Sequence, residues 1–165
     1  MKATIKLIRV DNRLVHGQVG ITWTASLDVD TIIVVDDEVA LSSFPQRLML
    51  NIAKAANVKI RFYSVSDFIK ALNNESKQKI FVVVKTIQVA KKLAEANIQV
   101  SKINIGNIHY DKGRIPFNKK VYLTKEDIDD INYIIDKGYN IFYQDVPGTI
   151  IEKITSADLK QLERK

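Results

Sequence analysis

Short apolar runs alternate along this chain with stretches of helical spacing. Ile5–Val10 is rich in Ile, Leu and Val and predicts a first strand. Val15, Val19, Trp23 and Leu27 follow at steps of four, predicting a helix from Val15 to about Leu27. Thr31–Val35 is nearly unbroken and β-branched, as expected of a strand covered on both faces. Pro45 suits the first turn of a helix reaching Ala56, with Leu48, Ile52 and Ala55 expected inward. The alternation continues with a strand over Val58–Tyr63 and a helix over Val65–Asn73, which Ser66 is placed to cap ahead of Asp67. Lys79–Val84 predicts another buried strand, and Ile87–Ala96 a helix with Val89, Leu93 and Ala96 on one side.

Ser101–Ile105 reads as a short strand ending at Gly106, and 107–120 is irregular, with turn signals at Gly113, Pro116 and Asn118. Val121–Leu123 predicts a short strand. Thr124 and Asp127 then form a capping-box-like start to a helix reaching about Lys137, closed by Gly138. Tyr139–Gln144 is the last strand expected, Val146-Pro147-Gly148 turns the chain, and Ile150–Lys165 reads as a weakly anchored helix. Strands separated by helices predict βαβ units. The fold class expected is α/β, a single open, mainly parallel β-sheet with helices on both faces. One domain over residues 1–165 accounts for the length, with no internal repeat or linker.

Composition narrows the function. At 46% hydrophobic and 27% charged, the chain is ordinary for a soluble globular protein. It has no cysteine, which removes disulfides, thiolate chemistry and cysteine-based zinc sites and suits a reducing cytoplasm. The N-terminal stretch lacks the apolar core of a signal peptide, and no apolar run approaches the roughly 20 residues of a membrane span. A net charge of +6 raises nucleic acid, an anionic membrane or an acidic protein as partner. The lysines are scattered, with small clusters at Lys77/Lys79, Lys91/Lys92 and Lys119/Lys120, and none is interleaved with aromatics. Nucleic acid is therefore disfavoured.

In open α/β sheets, ligands bind beyond the carboxyl ends of the strands. The segments there are Val10–Gln18, Asp36-Asp37-Glu38, Lys85-Thr86 and Gly106–Tyr110. The first places Arg9, Asp11, Arg13 and His16 within a few residues where a helix is about to start. A metal lacks further histidine or cysteine ligands there, and a hydrolytic triad lacks a nucleophile, Thr22 lying down the helix. Histidine beside arginines at a helix start suits an anion and specifically a phosphoryl group, which free backbone N–H groups stabilise. Arg13 can reach the same phosphate with paired hydrogen bonds. Asp11 either holds Arg13 or fixes one imidazole nitrogen so that the other can attack. The bland alternative for His16 is a solvated loop side chain.

Val10-Asp11-Asn12-Arg13-Leu14-Val15-His16-Gly17-Gln18-Val19, followed by Trp23, resembles the phosphorylation-site signature of the IIB subunits of the mannose/fructose/sorbose family of the phosphoenolpyruvate-dependent sugar phosphotransferase system. The likeness continues in Ile32–Val39, in Lys85-Thr86 and in Asp145-Val146-Pro147. Ile103–Asn107 is similar to the family's N-(V/I)-G-G segment, with Asn107 in place of the second glycine; asparagine tolerates a left-handed backbone there. The resemblance implies a phosphocarrier that takes phosphate from a histidine of a IIA protein and gives it to a sugar held by membrane IIC/IID subunits. Carried over by position, His16 is the phosphohistidine, bonded through Nδ1, with Arg13 neutralising the phosphoryl group and Asp11 beside it. Gly17, Gln18, Lys85 and Thr86 are the implied phosphate-binding positions. The family implies no metal and no cofactor, and a cytoplasmic protein peripherally associated with its transporter.

Blander readings stand beside these. His109 is expected to be a loop residue with a local hydrogen bond, and Asp36-Asp37-Glu38 to be strand-end charge rather than a metal cluster. Trp23, in line with Val19, is expected in the core rather than against a sugar. The rival functions are a basic nucleic-acid-binding α/β domain and a hydrolase or transferase using His16 as general base. Neither explains why Arg13 and His16 share one loop.

Overall fold

The computed structural model of the protein describes residues 3–17 and 19–164. Among the described residues, nine strands run in chain order as β1 (Thr4–Asp11), β2 (Thr31–Val35), β3 (Lys59–Tyr63), β4 (Lys79–Val84), β5 (Lys102–Asn107), β6 (Ile115–Pro116), β7 (Tyr122–Leu123), β8 (Asn140–Tyr143) and β9 (Glu152–Lys153). Seven form one open sheet in the order β3-β2-β4-β1-β5-β8-β9, parallel except where β9 returns beside β8; β6 and β7 pair separately. The helices are α1 (Thr24–Leu27), α2 (Ser43–Ala55), α3 (Val65–Ala71), α4 (Ile87–Glu95), α5 (Lys125–Asp136) and α6 (Ser156–Glu163).

The alternation of side chains along β1 and β4 divides the core. Ile8, Val10, Ile80, Val82 and Val84 face a cluster that includes Phe68 of α3, Leu93 of α4, Ile131 of α5 and Leu159 of α6. Leu7, Phe81 and Val83 face a second cluster with Val19, Trp23 and Met49. The sheet is thus covered on both faces, as the β-branched runs predict. No described helix is long and apolar enough to cross a membrane.

Several elements depart from expectation, each for a local reason. The helix expected from Val15 is a π-helical turn (Val19–Trp23) leading into the short α1. Its wider winding keeps residues four apart closer to one line, and Val15, Val19 and Trp23 are all buried. In α2 the inward positions are Met49 and Ala53 with Ile52 half-buried, while Leu48 and Ala55 are exposed. That face is rotated from the one expected, and Ile52, common to both, packs against Gly20 of the π-turn. Ser64, not Ser66, caps α3, accepting from the Asp67 N–H. The inward face of α4 is Ile87, Ala90, Leu93 and Ala94; Val89 and Ala96 are only half-buried.

The tail also differs. Residues 150–165 were expected to form one loose helix, but β9 adds an antiparallel edge to β8 before α6 begins at a complete Thr155/Asp158 capping box. Ile154, Leu159 and Leu162 are buried in the core, so the tail is anchored. The capping box expected at Thr124 and Asp127 is present, with α5 running to Asp136.

Candidate functional site

The connection after β1 leaves toward the π-turn on one face, while the connection after β4 leaves into α4 on the other. β1 and β4 are neighbours, so a crevice opens beyond their carboxyl ends. The loop carrying His16 lies there. Its shape is fixed by a turn in which the Leu14 N–H donates to the Asp11 carbonyl at 2.9 Å. Leu14 takes a left-handed backbone, φ 54°, which is uncommon for a leucine. Its buried side chain anchors the turn in the core beneath. The Gly20 N–H donates to the His16 carbonyl at 2.8 Å, so the helical winding starts at His16 itself.

Asp11 organises the site. Its side chain is fully buried. Oδ1 accepts from the Arg13 backbone N–H at 2.9 Å and lies 3.7 Å from Arg13 Nε. Oδ2 accepts from Arg9 at 3.3 and 3.1 Å and from Asn107 Nδ2 at 3.2 Å. The same oxygen lies 3.2 Å from His16 Nε2. Burial pushes the Asp11 carboxyl up, but the His16 hydrogen bond, the Arg9 charge and the Arg13 backbone N–H outweigh it and hold it below the ordinary 3.8. Asp11 is therefore an acceptor only, and His16 Nε2 must carry the proton it shares with it. In the neutral ring that leaves the Nδ1 lone pair without a partner among the described residues, on a side chain 24% exposed, beside Arg13 at 43%. Both roles considered for Asp11, holding Arg13 and fixing the imidazole, are performed at once by its two oxygens.

Beneath Asp11 lies Arg9, one of the largest fully buried side chains. Burial lowers its pKa from the ordinary guanidinium value, and the Asp11 charge and hydrogen bond oppose that. Nη1 donates to Asn104 Oδ1 at 2.6 Å and to the Gln144 carbonyl at 3.0 Å, and the guanidinium lies 5.3 Å from the Trp23 ring centre. A Cβ on Gly106 would overlap this guanidinium, so only glycine fits. Trp23 is buried, stacked on Phe81 and donating to the Asp145 carbonyl at 3.2 Å, which agrees with its expected place in the core.

The remaining expected residues are distributed as follows. Gly17 is exposed, directly after His16; Gln18 lies outside the described residues. Lys85 and Thr86 follow β4, whose Val84 pairs with Val10. The Lys85 carbonyl accepts from Asn12 Nδ2 at 2.8 Å, while Thr86 caps α4, its Oγ accepting from the Val89 N–H at 3.3 Å. His109 is exposed, and its backbone N–H donates to Asn12 Oδ1 at 2.8 Å. Asp36 and Asp37 each spend an oxygen on backbone N–H groups, Asp36 on Glu38 and Val39, Asp37 on Val65, which agrees with the strand-end reading.

The sequence reading gave three participants no role at the site. Asn12 ties together the loops after β1, β4 and β5 through its one amide. Arg9 and Asn107 both grip Asp11. Arg9 had a signal, since an arginine amid a buried strand requires a partner. Asn107 had none: it adopts no left-handed backbone but lies in β5, opposite Asp11 across a bulge that skips Gly106.

Comparison with known proteins follows this geometry. Residues 5–164 match the family described as the PTS system sorbose subfamily IIB component. The chain is 40% identical over 151 residues to the N-acetylgalactosamine-specific phosphotransferase enzyme IIB component 1 of Escherichia coli (strain K12), covering 91% of this chain and 96% of the relative. It is 29% identical over 150 residues to the PTS system fructose-specific EIIB component of Bacillus subtilis (strain 168), covering 90% and 91%. The crystal structure of the PTS system N-acetylgalactosamine-specific IIB component 1 from Escherichia coli superposes with a TM-score of 0.89 at 40% identity, over 92% of this chain and 100% of that one. The chain belongs to the sorbose-subfamily IIB components of the phosphotransferase system, a family of sugar phosphotransfer domains.

Proposed function

We propose that the chain, as one domain over residues 1–165, is a phosphoryl carrier that accepts phosphate on His16 Nδ1 from the phosphohistidine of a IIA protein. It then passes the group to a sugar held by membrane IIC/IID subunits. The observation that carries this reading is the 3.2 Å contact of His16 Nε2 with a buried, ionised Asp11, which presents the other nitrogen as a nucleophile beside Arg13.

In the transfer, the Nδ1 lone pair forms a bond to phosphorus while the donor's N–P bond breaks, its electron pair returning to the donor imidazole. The Nε2 proton stays on the His16 ring, and Asp11 balances the positive charge that develops there. Arg13 meets the equatorial phosphoryl oxygens, positioning that in phosphoryl transfer is worth about a thousandfold or more. Gly17 offers its backbone N–H at the start of the winding, Gln18 is included on the resemblance alone, and Lys85 adds charge from the adjacent strand end. Thr86 keeps its hydroxyl proton for the phosphate, its oxygen being occupied by the α4 cap. Transfer onward to sugar makes the chain a component of a protein-Nπ-phosphohistidine–sugar phosphotransferase. It works in the cytoplasm, peripherally associated with its transporter. Since one relative is specific for N-acetylgalactosamine, an N-acetylated hexosamine is the first sugar to assay.

The test is intact mass after incubation with phosphoenolpyruvate, enzyme I, HPr and the IIA protein of an N-acetylgalactosamine system. One acid-labile phosphoryl group on the wild type and none on His16→Ala is expected. With the IIA protein shown to be phosphorylated, an unshifted wild type or an equally shifted variant refutes the assignment.

A further inference from the structure

The crowding of one oxygen at the centre of the site has a functional reading. Asp11 Oδ2 is approached by four donors: Arg9 Nε at 3.3 Å, Arg9 Nη2 at 3.1 Å, Asn107 Nδ2 at 3.2 Å and His16 Nε2 at 3.2 Å. A carboxylate offers about four lone-pair sites over both of its oxygens, and hydrogen bonds to it are ordinarily about 2.7–2.9 Å. Every contact here is longer than that. The donors share the oxygen, and each is held less firmly than it would be alone.

Of these donors only the Asn107 amide belongs neither to the ion pair with Arg9 nor to the ring assigned to take phosphate. Its backbone already serves the sheet, the carbonyl accepting from the Asn12 N–H at 2.9 Å. Its side chain, nearly fully buried, reaches the Asp11 side because the bulge at Gly106 shifts the register by one. Glycine, which the resembled family pattern has at this place, has no side chain with which to make the contact.

We propose that Asn107 is a positioning residue that competes with His16 for Asp11 Oδ2, loosening the grip of Asp11 on Nε2 and so making the phosphorylated His16 a readier phosphoryl donor. The sign follows from the transfer step, on whose assignment to His16 this inference rests. Bonding phosphorus at Nδ1 while the proton stays on Nε2 places positive charge on the ring, which Asp11 stabilises. A carboxylate shared with Asn107 stabilises that charge less, so phosphate leaves more easily. Without the Asn107 donor, His16 and Arg9 divide the oxygen between them, and the phosphorylated state gains.

Asn107→Ala and Asn107→Gly test this with two readouts. In the unphosphorylated protein, the imidazole N–H proton resonance of His16 moves downfield in both variants as its bond to the carboxylate strengthens; Asp11→Asn, which removes the charged acceptor, moves it upfield. In equilibrium with the phosphorylated IIA protein used above, the ratio of phosphorylated to free chain rises about fivefold, the ratio corresponding to one hydrogen bond of ordinary strength. Transfer onward to sugar slows correspondingly. A merely structural role would lower stability without moving the resonance downfield. An unmoved or upfield resonance in both variants overturns the competition, and so does an unchanged or lowered phosphorylation ratio. If the wild type takes no phosphate from a competent donor, the carrier reading fails on its own, and the resonance still decides whether Asn107 competes for Asp11.

Discussion

Replacing Arg9 with methionine probes the support beneath the site most directly. The side chain is fully buried and makes four hydrogen bonds, two to Asp11 Oδ2, one to Asn104 Oδ1 and one to the Gln144 carbonyl. Methionine fills similar space but leaves a buried carboxylate without its cation and Asn104 Oδ1 without its donor. Removing one partner of a buried ion pair costs about 3–5 kcal/mol. Against a total stability of about 5–15 kcal/mol, that is roughly a fifth or more. At about 2–4 °C per kcal/mol for a chain of this size, Arg9→Met should lower Tm by about 6–20 °C. The penalty belongs to the orphaned charge, so Asp11→Asn added to Arg9→Met should recover at least half of the loss. Thermal unfolding of the four proteins, followed by circular dichroism, completes the cycle. A drop below about 2 °C for the single variant, or no recovery in the double, would show that Arg9 and Asp11 are not energetically coupled as the geometry requires.

Further outcomes follow from the same network and from the tail. Gly106→Ala places a methyl group inside a guanidinium that four hydrogen bonds hold still, and should cost about 1–3 kcal/mol by urea titration; an unchanged midpoint would mean that Arg9 moves freely. Because the native Asp11 value lies below its ordinary 3.8, the ionised carboxylate contributes stability that is fully present above 3.8 and is lost as pH falls through the lower native value. The stability advantage of the wild type over Asp11→Asn should therefore narrow on acidification, and an advantage that widens as pH falls contradicts the assignment. Leu159→Ala should cost about 2–5 kcal/mol while Lys160→Ala changes stability by less than about 0.5 kcal/mol, measured by the same titration; equal effects would mean that α6 is not docked.

The central strands were legible because their signal is local: apolar runs rich in β-branched residues, such as Thr31–Val35 and Lys79–Val84, have few other uses. The inward faces of α2 and α4 were not. Leu48 and Ala55 fit a helical period as well as Met49 and Ala53 do, and the choice between them is made by packing against other elements, Met49 joining the cluster of Trp23 and Phe81. The tail misled for a similar reason. Ile150 and Ile151 suggest a helix start, yet both are exposed, and the edge strand and the Thr155 cap that follow are what seat Leu159. At the site, Asp11, Arg13 and His16 were readable since they are neighbours in sequence and chemically unusual together. Asn104, Asn107 and Gln144 reach the same network from distant strands, and composition carries no sign of it.

Sequence proximity and spatial support thus divide the site between them. His16 and Arg13, the groups assigned to take and neutralise the phosphoryl group, are supplied by one short loop, where a turn at Asp11–Leu14 and the winding that starts at His16 fix their spacing. The groups that set their electrostatics come from β1 and β5 and from the Gln144 carbonyl after β8, and they converge on a carboxylate that solvent does not reach. On the carrier reading, a site that takes phosphate from a phosphohistidine and releases it to a sugar gains nothing from a deep energetic well. A buried carboxylate shared among four donors meets that requirement: it holds the His16 ring in one orientation while leaving no single donor the full strength of the charge. On the carrier reading, orientation and affinity are both set at Asp11 Oδ2, and a change at Asn107 adjusts how firmly that oxygen holds the ring.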